Sequence, residues 1–226
     1  MTQTAFAEWL NETFYTFDNA ILGFYHGVAE WGGIVITPIM RAVTFVGEKG
    51  IFMFLLAFLL FLFAKTRKCG VCIFGAVCCG ALITNFILKD TVCRLRPYEA
   101  YEVFREFWNF IGSPVENGYA FPSGHVTAAA AGMTALCLAF GKKFVAAAIP
   151  YISLMAISRN YLMAHYPSDI VAAALIGAVS AMIAYVITIG IFRFLKHFEK
   201  MKLFHFILHF DLKDAILHIR KIKIIL

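Results

Sequence analysis

Residues 69–88 read CGVCIFGAVCCGALITNFIL and contain no charged side chain. About 20 consecutive apolar residues form a helix long enough to cross the hydrocarbon core of a bilayer. The whole chain of 226 residues is 61% hydrophobic and only 15% charged, whereas ordinary soluble domains are roughly half apolar. The sequence therefore predicts an all-α, polytopic membrane bundle and leaves no room for a large soluble domain.

Four further apolar segments extend this bundle to five predicted spans. The five run over residues 50–64, 69–88, 122–141, 144–164 and 166–192. Several have charge-free cores shorter than ~20 residues, so the helices must continue into polar ends that face a water-filled site rather than lipid. We expect one membrane-embedded domain over 1–226, with N-terminal interfacial helices over 1–48, a catalytic core over 50–192 and a basic amphipathic tail over 193–226.

The N-terminal region is predicted to lie at the membrane surface. Residues 3–31 place apolar side chains along one helical face, which is typical of an amphipathic helix at the interface. The alternative is a sixth span between Ala20 and Gly47, interrupted by Glu30 and Arg41. The first residues lack a basic start followed by a continuous apolar stretch, so we expect no cleavable signal peptide.

Basic loops predict the orientation in the cell membrane. Lys65–Lys68, Lys142-Lys143 and the tail after Arg193 are separated by even numbers of spans, so all three can lie on the cytoplasmic side. The C-terminus is then cytoplasmic and the opposite helix ends are extracytoplasmic. Nucleic acid is not an expected partner, because the basic residues of the tail alternate with Phe, Ile and Leu.

Polar residues gather at these extracytoplasmic helix ends in three groups. The groups lie within residues 89–97, 122–125 and 158–169. Lys89, Arg96 and Arg159 are cations that would repel each other unless an anion lay among them. Arginine offers paired donors that match phosphate oxygens, and lysine adds a point charge. The pattern indicates a phosphate site.

The second group, Pro122-Ser123-Gly124-His125, indicates the start of a helix. Proline fits the first helical turn, and glycine lets the backbone approach a ligand closely. Ser123 adds a hydroxyl donor. Free N–H groups at a helix start bind anions, so this group is a second source of phosphate contacts.

The third group contains the predicted nucleophile, His165. Histidine forms covalent intermediates when its ring is neutral and a hydrogen bond on the other nitrogen fixes the tautomer. Asp169 follows four residues later, with Pro167 between them, so its carboxylate can reach back to make that bond. His125 is then the general acid that protonates the leaving oxygen and later takes a proton from water.

We expect no metal ion or other cofactor. The predicted outer loops offer no carboxylate cluster, and nothing in this scheme requires a metal. The one CxxC, Cys69 and Cys72, has no second pair to complete a zinc site. Cysteines inside apolar segments act as small hydrophobic residues.

Lys-x6-Arg-Pro, Pro-Ser-Gly-His and Ser-Arg-x5-His-x3-Asp occur in this order and resemble the three signature motifs of the type 2 phosphatidic acid phosphatase superfamily. The resemblance covers about residues 50–192, and it is specific because all three motifs occur with the right spacing. It implies a helical core and a metal-independent phosphohistidine mechanism, with His165 as nucleophile, Asp169 as its partner and His125 as general acid. The residues that would bind phosphate are Lys89, Arg96, Ser123, Gly124 and Arg159.

The sequence departs from the frequent pattern in three places. Tyr98-Glu99 follow Arg-Pro, Val126 follows Pro-Ser-Gly-His, and the usual first transmembrane helix is replaced by an interfacial one. None of these changes touches the catalytic set. Arg94, inside the first group, is either a solvated loop charge or a secondary contact to a distal phosphate.

The substrate implied first by this resemblance is a membrane lipid, undecaprenyl diphosphate, hydrolysed to undecaprenyl phosphate in a bacterial cell-envelope pathway. Phosphatidic acid and phosphatidylglycerophosphate are alternatives, as is transfer of the phosphoryl group from His165 to another lipid. A third class is an anion-binding transporter. Its activity would survive His165→Ala, whereas a catalytic role predicts loss of turnover with substrate binding retained.

Overall fold

The computed structural model describes residues 3–214 and 216–217, and no strand occurs among them. The helices in chain order are α1 Ala5–Val46, α2 Ile51–Phe61, α3 Arg67–Ala81, α4 Lys89–Val92, α5 Pro97–Ala100, α6 Glu102–Ile111, α7 Gly124–Phe140, α8 Val145–Tyr161, α9 Pro167–His197 and α10 Lys202–His209. A π-helical segment, Leu82–Leu88, joins α3 to α4, and short 3₁₀ turns at Glu48–Gly50 and Lys142–Phe144 precede α2 and α8. The predicted tail over 193–226 lies partly outside the described residues.

Helix length and composition confirm a polytopic membrane bundle. Among the described residues, three helical stretches are long and apolar enough to cross a bilayer, and they run over Ala5–Phe61, Arg67–Ala100 and Pro167–His197. Gly124–Phe140 is a shorter apolar helix. The four spans predicted between residues 69 and 192 correspond to α3 with the π segment, α7, α8 and α9.

The central helix α7 packs against α3, α8 and α9. Its small residues Ala128–Ala131 are buried. A Cβ at Gly177 of α9 would lie 2.6 Å from the Thr127 carbonyl oxygen, and one at Gly80 of α3 would lie 2.9 Å from Thr127 Cγ2. Small residues let membrane helices approach backbone to backbone, so α3, α7 and α9 form a tight core.

The bundle has two chemically distinct ends. At the site end, α7 begins and α8 ends; at the basic end, α7 ends and α3 begins. Lys65 and Lys68 lie around one small pocket at the basic end. Phe140 lines the same pocket and is close in sequence to Lys142-Lys143. The basic loops therefore share one end, as the predicted orientation requires.

The N-terminal helix differs from the expected interfacial helix. Instead of ending near residue 31, α1 continues to Val46, with one non-helical residue at Gly32. Its first part packs inward through buried side chains such as Asp18 and Leu22. A polar face that is buried against other elements is not recognisable from hydrophobic periodicity alone.

The second part of α1, residues 33–46, runs antiparallel to α8 in the site-end half of the bundle. Thr37 Oγ1 lies 2.7 Å from the Tyr161 hydroxyl oxygen, and Thr44 Oγ1 lies 2.7 Å from Ser158 Oγ. The apolar side chains on its other face are exposed, as in a helix that faces lipid. This segment is continuous with α2 within one apolar helical stretch, Ala5–Phe61.

It forms one broken span together with α2. Residues 47–50 make the break, in which Lys49 has φ 50° and Gly50 has φ 72°. Beyond it, α2 continues towards the basic end, where a Cβ at Gly70 of α3 would lie 2.5 Å from the Ala57 carbonyl oxygen. The sequence placed the start of this span at Gly50 because two charges precede it, whereas in the structure Gly50 lies in the middle.

Candidate active site

A cavity of about 500 Å³ opens at the site end of the core. Its volume is in the range of pockets that enclose a small organic ligand. The walls come from the end of α1, the π segment, the loop over residues 112–123, the start of α7 and the α8–α9 loop. Five of the eight predicted site residues line it, namely Lys89, Arg96, Gly124, His125 and His165.

His165 lies in the α8–α9 loop and is buried. Its Nδ1 is 2.6 Å from the carbonyl oxygen of Ala120. A carbonyl only accepts, so Nδ1 donates the proton and Nε2 of the neutral ring keeps its lone pair. Burial lowers the pKa of His165 well below its ordinary value, and the nearby Arg96 and Arg159 cations lower it further. The ring is held in the form that a nucleophile needs.

Asp169, in the first turn of α9, does not make the hydrogen bond predicted for it. Its Oδ2 is 3.8 Å from His165 Nδ1, beyond hydrogen-bond distance. The same oxygen accepts from the Tyr166 backbone N–H at 2.9 Å, and Oδ1 accepts from Arg94 at 2.5 Å. Because the Asp169 carboxylate caps the start of α9, it does not reach His165 Nδ1. The Ala120 carbonyl is the hydrogen-bond partner of Nδ1 instead. Asp169 still places a negative charge beside the imidazole.

Arg94 is fully enclosed between α1 and α9, on the far side of Asp169 from the cavity lining. Its guanidinium donates to Asp18 Oδ2 at 2.9 Å, Ser168 Oγ at 2.8 Å and Asn11 Oδ1 at 2.8 Å. It also lies 3.9 Å from the centre of the Tyr166 ring. Arg94 is thus neither a solvated charge nor a phosphate contact; it fixes the carboxylate of Asp169.

Arg96 organises two loops around the cavity. It donates to the carbonyls of Gly118 at 2.9 Å, Asn117 at 2.9 Å and Ala164 at 2.8 Å. A guanidinium has five N–H groups, so two remain for a ligand in the cavity that Arg96 lines. Arg96 therefore places a positive charge at the cavity, while its three hydrogen bonds fix the backbone of the two loops around His165.

Arg159 lies behind the cavity wall and pairs with a residue that the sequence did not single out. Its Nη2 donates to Glu116 Oε1 at 2.6 Å, and Glu116 lines the cavity. Burial alone would raise the pKa of Glu116, but Arg159 and then Arg96 outweigh it and lower the pKa to about 2. Glu116 is therefore a carboxylate that is ion-paired with Arg159. An isolated loop acid gives no sequence signal for this role.

Three buried polar atoms at the site have no hydrogen-bond partner among the described residues. They are Ser123 Oγ, His125 Nε2 and Arg159 Nε. Buried polar atoms are nearly always paired in native proteins, so such a cluster marks the place of a polar ligand. The free N–H groups at the start of α7 lie beside it, and they favour an anion.

Lys89 reaches the cavity from the end of the π-helical segment. Single π turns are rare and frequently occur at functional sites, because they change the direction in which later side chains point. Asn85, within the segment, also lines the cavity, and its Oδ1 would lie 3.3 Å from a Cβ at Gly124. Sequence patterns do not single out Asn85, since one amide inside an apolar run does not interrupt the prediction of a span.

The cavity combines cations with two histidines. Lys89 and Arg96 line it, Arg159 lies behind it, and the two histidines His125 and His165 both face it. Within residues 3–214 and 216–217, no three His, Cys, Asp or Glu side chains are grouped so that they could hold a metal ion. This arrangement suits binding of a phosphoryl group and attack on it by an imidazole.

Comparison with known proteins identifies the family. Residues 70–193, more than half of the chain, match the PAP2 superfamily, and the chain belongs to it. An undecaprenyl-diphosphatase from Sulfolobus acidocaldarius is 28% identical over 120 residues, which are 53% of this chain and 55% of that protein. The match thus spans only about half the length of that relative.

Two solved structures share the fold. The crystal structure of Aquifex aeolicus LpxE superposes with a TM-score of 0.59 at 20% identity, over 72% of this chain and 93% of the other. The transmembrane PAP2-type phosphatidylglycerolphosphate phosphatase of Bacillus subtilis gives 0.56 at 19% identity, over 83% and 90%. At these identities the similarity establishes the helical architecture.

Proposed function

We propose that this chain is an integral membrane phosphatase that hydrolyses a lipid phosphate or diphosphate, with undecaprenyl diphosphate as the substrate. The observation that carries the proposal is that His165, whose Nδ1 lies 2.6 Å from the Ala120 carbonyl oxygen, shares one cavity with Lys89, Arg96 and His125. Membership of the PAP2 superfamily supports the phosphatase chemistry. The name of the Sulfolobus relative supports the diphosphate substrate.

In the first step, Nε2 of His165 attacks the terminal phosphorus. A P–N bond forms, the bond to the leaving oxygen breaks, and His125 donates its proton to that oxygen. The developing charge on the phosphoryl oxygens is held by donors fixed in advance, which is the largest contribution in reactions of this type. These donors are Lys89, Arg96, Arg159, the Ser123 hydroxyl and the N–H groups at the start of α7.

In the second step, water attacks the phosphohistidine. His125 takes the proton of the water, the P–N bond breaks, and inorganic phosphate leaves. Between the two steps the imidazole is cationic. The Ala120 carbonyl and the negative charge of Asp169 stabilise it from the Nδ1 side.

We place the cavity on the extracytoplasmic side and the C-terminus in the cytoplasm. The support is that Lys65, Lys68 and the Lys142-Lys143 loop lie at the opposite end of the bundle from the cavity. Basic loops near the ends of spans are retained in the cytoplasm.

The test is a phosphate-release assay on the full chain in detergent, with undecaprenyl diphosphate, phosphatidic acid and phosphatidylglycerophosphate supplied separately. We expect release without any added acceptor lipid, in the presence of a chelator, and at least about a thousandfold loss in His165→Ala. Release that needs an acceptor would identify a phosphotransferase. Full activity in His165→Ala would contradict the proposal and favour a protein that only binds anions, and loss of activity with chelator would overturn the metal-free scheme.

A further inference from the structure

The broken span carries two charged residues at half its length. Residues 33–46 and α2 extend for about 21 Å and about 16 Å on either side of the break, at a rise of 1.5 Å per residue. Glu48 and Lys49 lie between them and are exposed. Among the described residues, neither of these two side chains takes part in an ion pair. Charged side chains within an apolar span are costly in lipid, so they face water, a partner or a ligand.

Packing fixes the backbone of this break. Lys49 has φ 50°, a left-handed conformation that is uncommon for a residue other than glycine and that clusters at functional sites. The next residue, Gly50, is left-handed and buried, with Ala128 Cβ and Val77 Cγ1 only 3.1 and 3.2 Å from where its Cβ would be. The turn is therefore held against the core, and the two charged side chains project from a rigid point.

Glu48 and Lys49 line two cavities at once. One is the catalytic cavity, and the other is an apolar groove of about 310 Å³ on the outer surface of the span. The other walls of the groove are Phe45, Val46, Ile51, Phe52 and Leu55. We call the two charged residues the neck, because they lie where the catalytic cavity meets a surface that faces lipid.

We propose that the neck selects lipid diphosphates: the hydrocarbon chain lies in the groove, and Lys49 binds the inner phosphate. This inference rests on the proposed function. For an in-line attack, the terminal phosphorus must lie between His165 Nε2 and the leaving oxygen, with the three atoms roughly on one line. In a diphosphate that oxygen belongs to a second phosphate, which is joined to the chain and must therefore lie between the phosphoryl site and the groove.

Lys49 then acts on the leaving group. When the bond between the terminal phosphorus and the bridging oxygen breaks, the electron pair stays on that oxygen of the inner phosphate, and the ammonium group stabilises the charge that builds up there until His125 has donated its proton to the same oxygen. When the substrate is a lipid monophosphate, the leaving group is the lipid alcohol. This alcohol has no phosphate beside the groove, so Lys49 has nothing to bind. Glu48 repels phosphate, so the selectivity depends on Lys49 alone.

The experiment compares initial rates of phosphate release from farnesyl diphosphate and farnesyl phosphate by the full chain in detergent. Lys49→Asn keeps a residue that tolerates the left-handed backbone. We expect its kcat/KM to fall about tenfold for the diphosphate and less than about twofold for the monophosphate. Lys49→Arg should retain most of the wild-type preference, and Glu48→Gln should not lower it. Lys142→Asn, an exposed lysine at the basic end, is the matched control and should change neither rate.

The outcomes separate this inference from the function on which it rests. If the wild type releases phosphate from both lipids but Lys49→Asn changes the two rates alike or not at all, the neck does not select diphosphates. Equal loss of preference in Lys49→Asn and Glu48→Gln would also overturn the inference, since it would indicate damaged geometry. If the wild type releases phosphate from neither lipid, or if His165→Ala releases it as fast as the wild type, the proposed function itself is wrong.

Discussion

The surroundings of His165 fix the orientation of its imidazole and favour the neutral ring. Its Nδ1 donates to Ala120, its burial disfavours the charged form, and three cations lie nearby. A histidine in water is half protonated near pH 6.5 and would lose its nucleophilic nitrogen in mild acid. Here the direction of the shift keeps the neutral ring to lower pH.

We therefore expect His165 to remain neutral at pH values below about 6.5, where an ordinary histidine is protonated. The measurement is a ¹⁵N NMR titration of the histidine rings of the protein in detergent micelles, with His165→Gln to assign the signal. The same chain unfolded in urea is the control, and its histidines should titrate near pH 6.5. Titration of the folded His165 near 6.5 would contradict this expectation.

Glu116 competes with substrate for Arg159. Replacing it by Gln removes the negative charge, while an amide of the same shape stays in place, so Arg159 becomes available to a phosphate. We expect Glu116→Gln to tighten inhibition by inorganic phosphate roughly fivefold, which corresponds to about 1 kcal/mol. The measurement is the inhibition constant for phosphate at neutral pH.

Glu102→Gln is the control for this change, because Glu102 pairs with Arg105 on the exposed surface of α6, away from the cavity. It should leave phosphate inhibition unaltered. Weaker inhibition in Glu116→Gln would show that Glu116 orients Arg159 rather than competing for it.

Among the helices, α7 and α9 form an interface with little freedom to adjust, as α2 and α3 do at Gly70. Their backbones meet at Gly177, where an added Cβ would lie 2.6 Å from the Thr127 carbonyl and 2.8 Å from the Ala131 nitrogen. Neither atom is the end of a flexible side chain, so the two helices would have to separate. The starts of both helices, with His125 and Asp169, depend on this contact for their spacing.

We expect Gly177→Ala to destabilise the protein by about 1–3 kcal/mol, because overpacking against backbone forces the helices apart. Gly190→Ala, in the same helix, is the matched control: its Cβ meets nothing within 4 Å, and alanine favours the helix by up to about 1 kcal/mol. Thermal unfolding in detergent measures both. Equal unfolding midpoints for the two variants would contradict the interface described here.

The elements that the sequence predicted best are those with long, charge-free apolar runs. α3, α7 and α9 were found because such runs have few structural alternatives in a membrane. The broken span was missed, since Glu48 and Lys49 end the apolar run although the chain continues through the membrane. The sequence shows that a charged residue is present, but it does not show whether the side chain faces lipid or a cavity.

For the molecule as a whole, a buried network joins the N-terminal helix to the catalytic loop. Asp18 of α1 accepts from Arg94, from the Ser168 hydroxyl at 2.7 Å and from the Ser168 backbone N–H at 2.8 Å. Arg94 in turn holds Asp169. The motifs predicted which residues share the cavity, but no local pattern could pair Asp18 with a loop 150 residues away.

We expect Asp18→Asn to lower stability by about 2–4 kcal/mol, because it leaves a buried guanidinium with one carboxylate instead of two. It should also lower kcat at least about fivefold, since Asp169 loses its firm support, while KM changes less. Glu12→Gln, an exposed acid on the same helix, is the control. Thermal unfolding and phosphate release on the same samples measure both effects, and an active, stable Asp18→Asn would show that the network is dispensable.

The separation of Asp18 from its partners also has a consequence for biosynthesis. The ribosome adds Asp18 150 residues before Ser168, and at about 5–20 residues per second the interval is roughly 8–30 seconds. During that time the carboxylate has no finished pocket, and an unpaired acid in hydrocarbon is strongly disfavoured. We therefore expect the nascent N-terminal helix to stay in contact with water and to dock only when the segment that carries Ser168 has emerged.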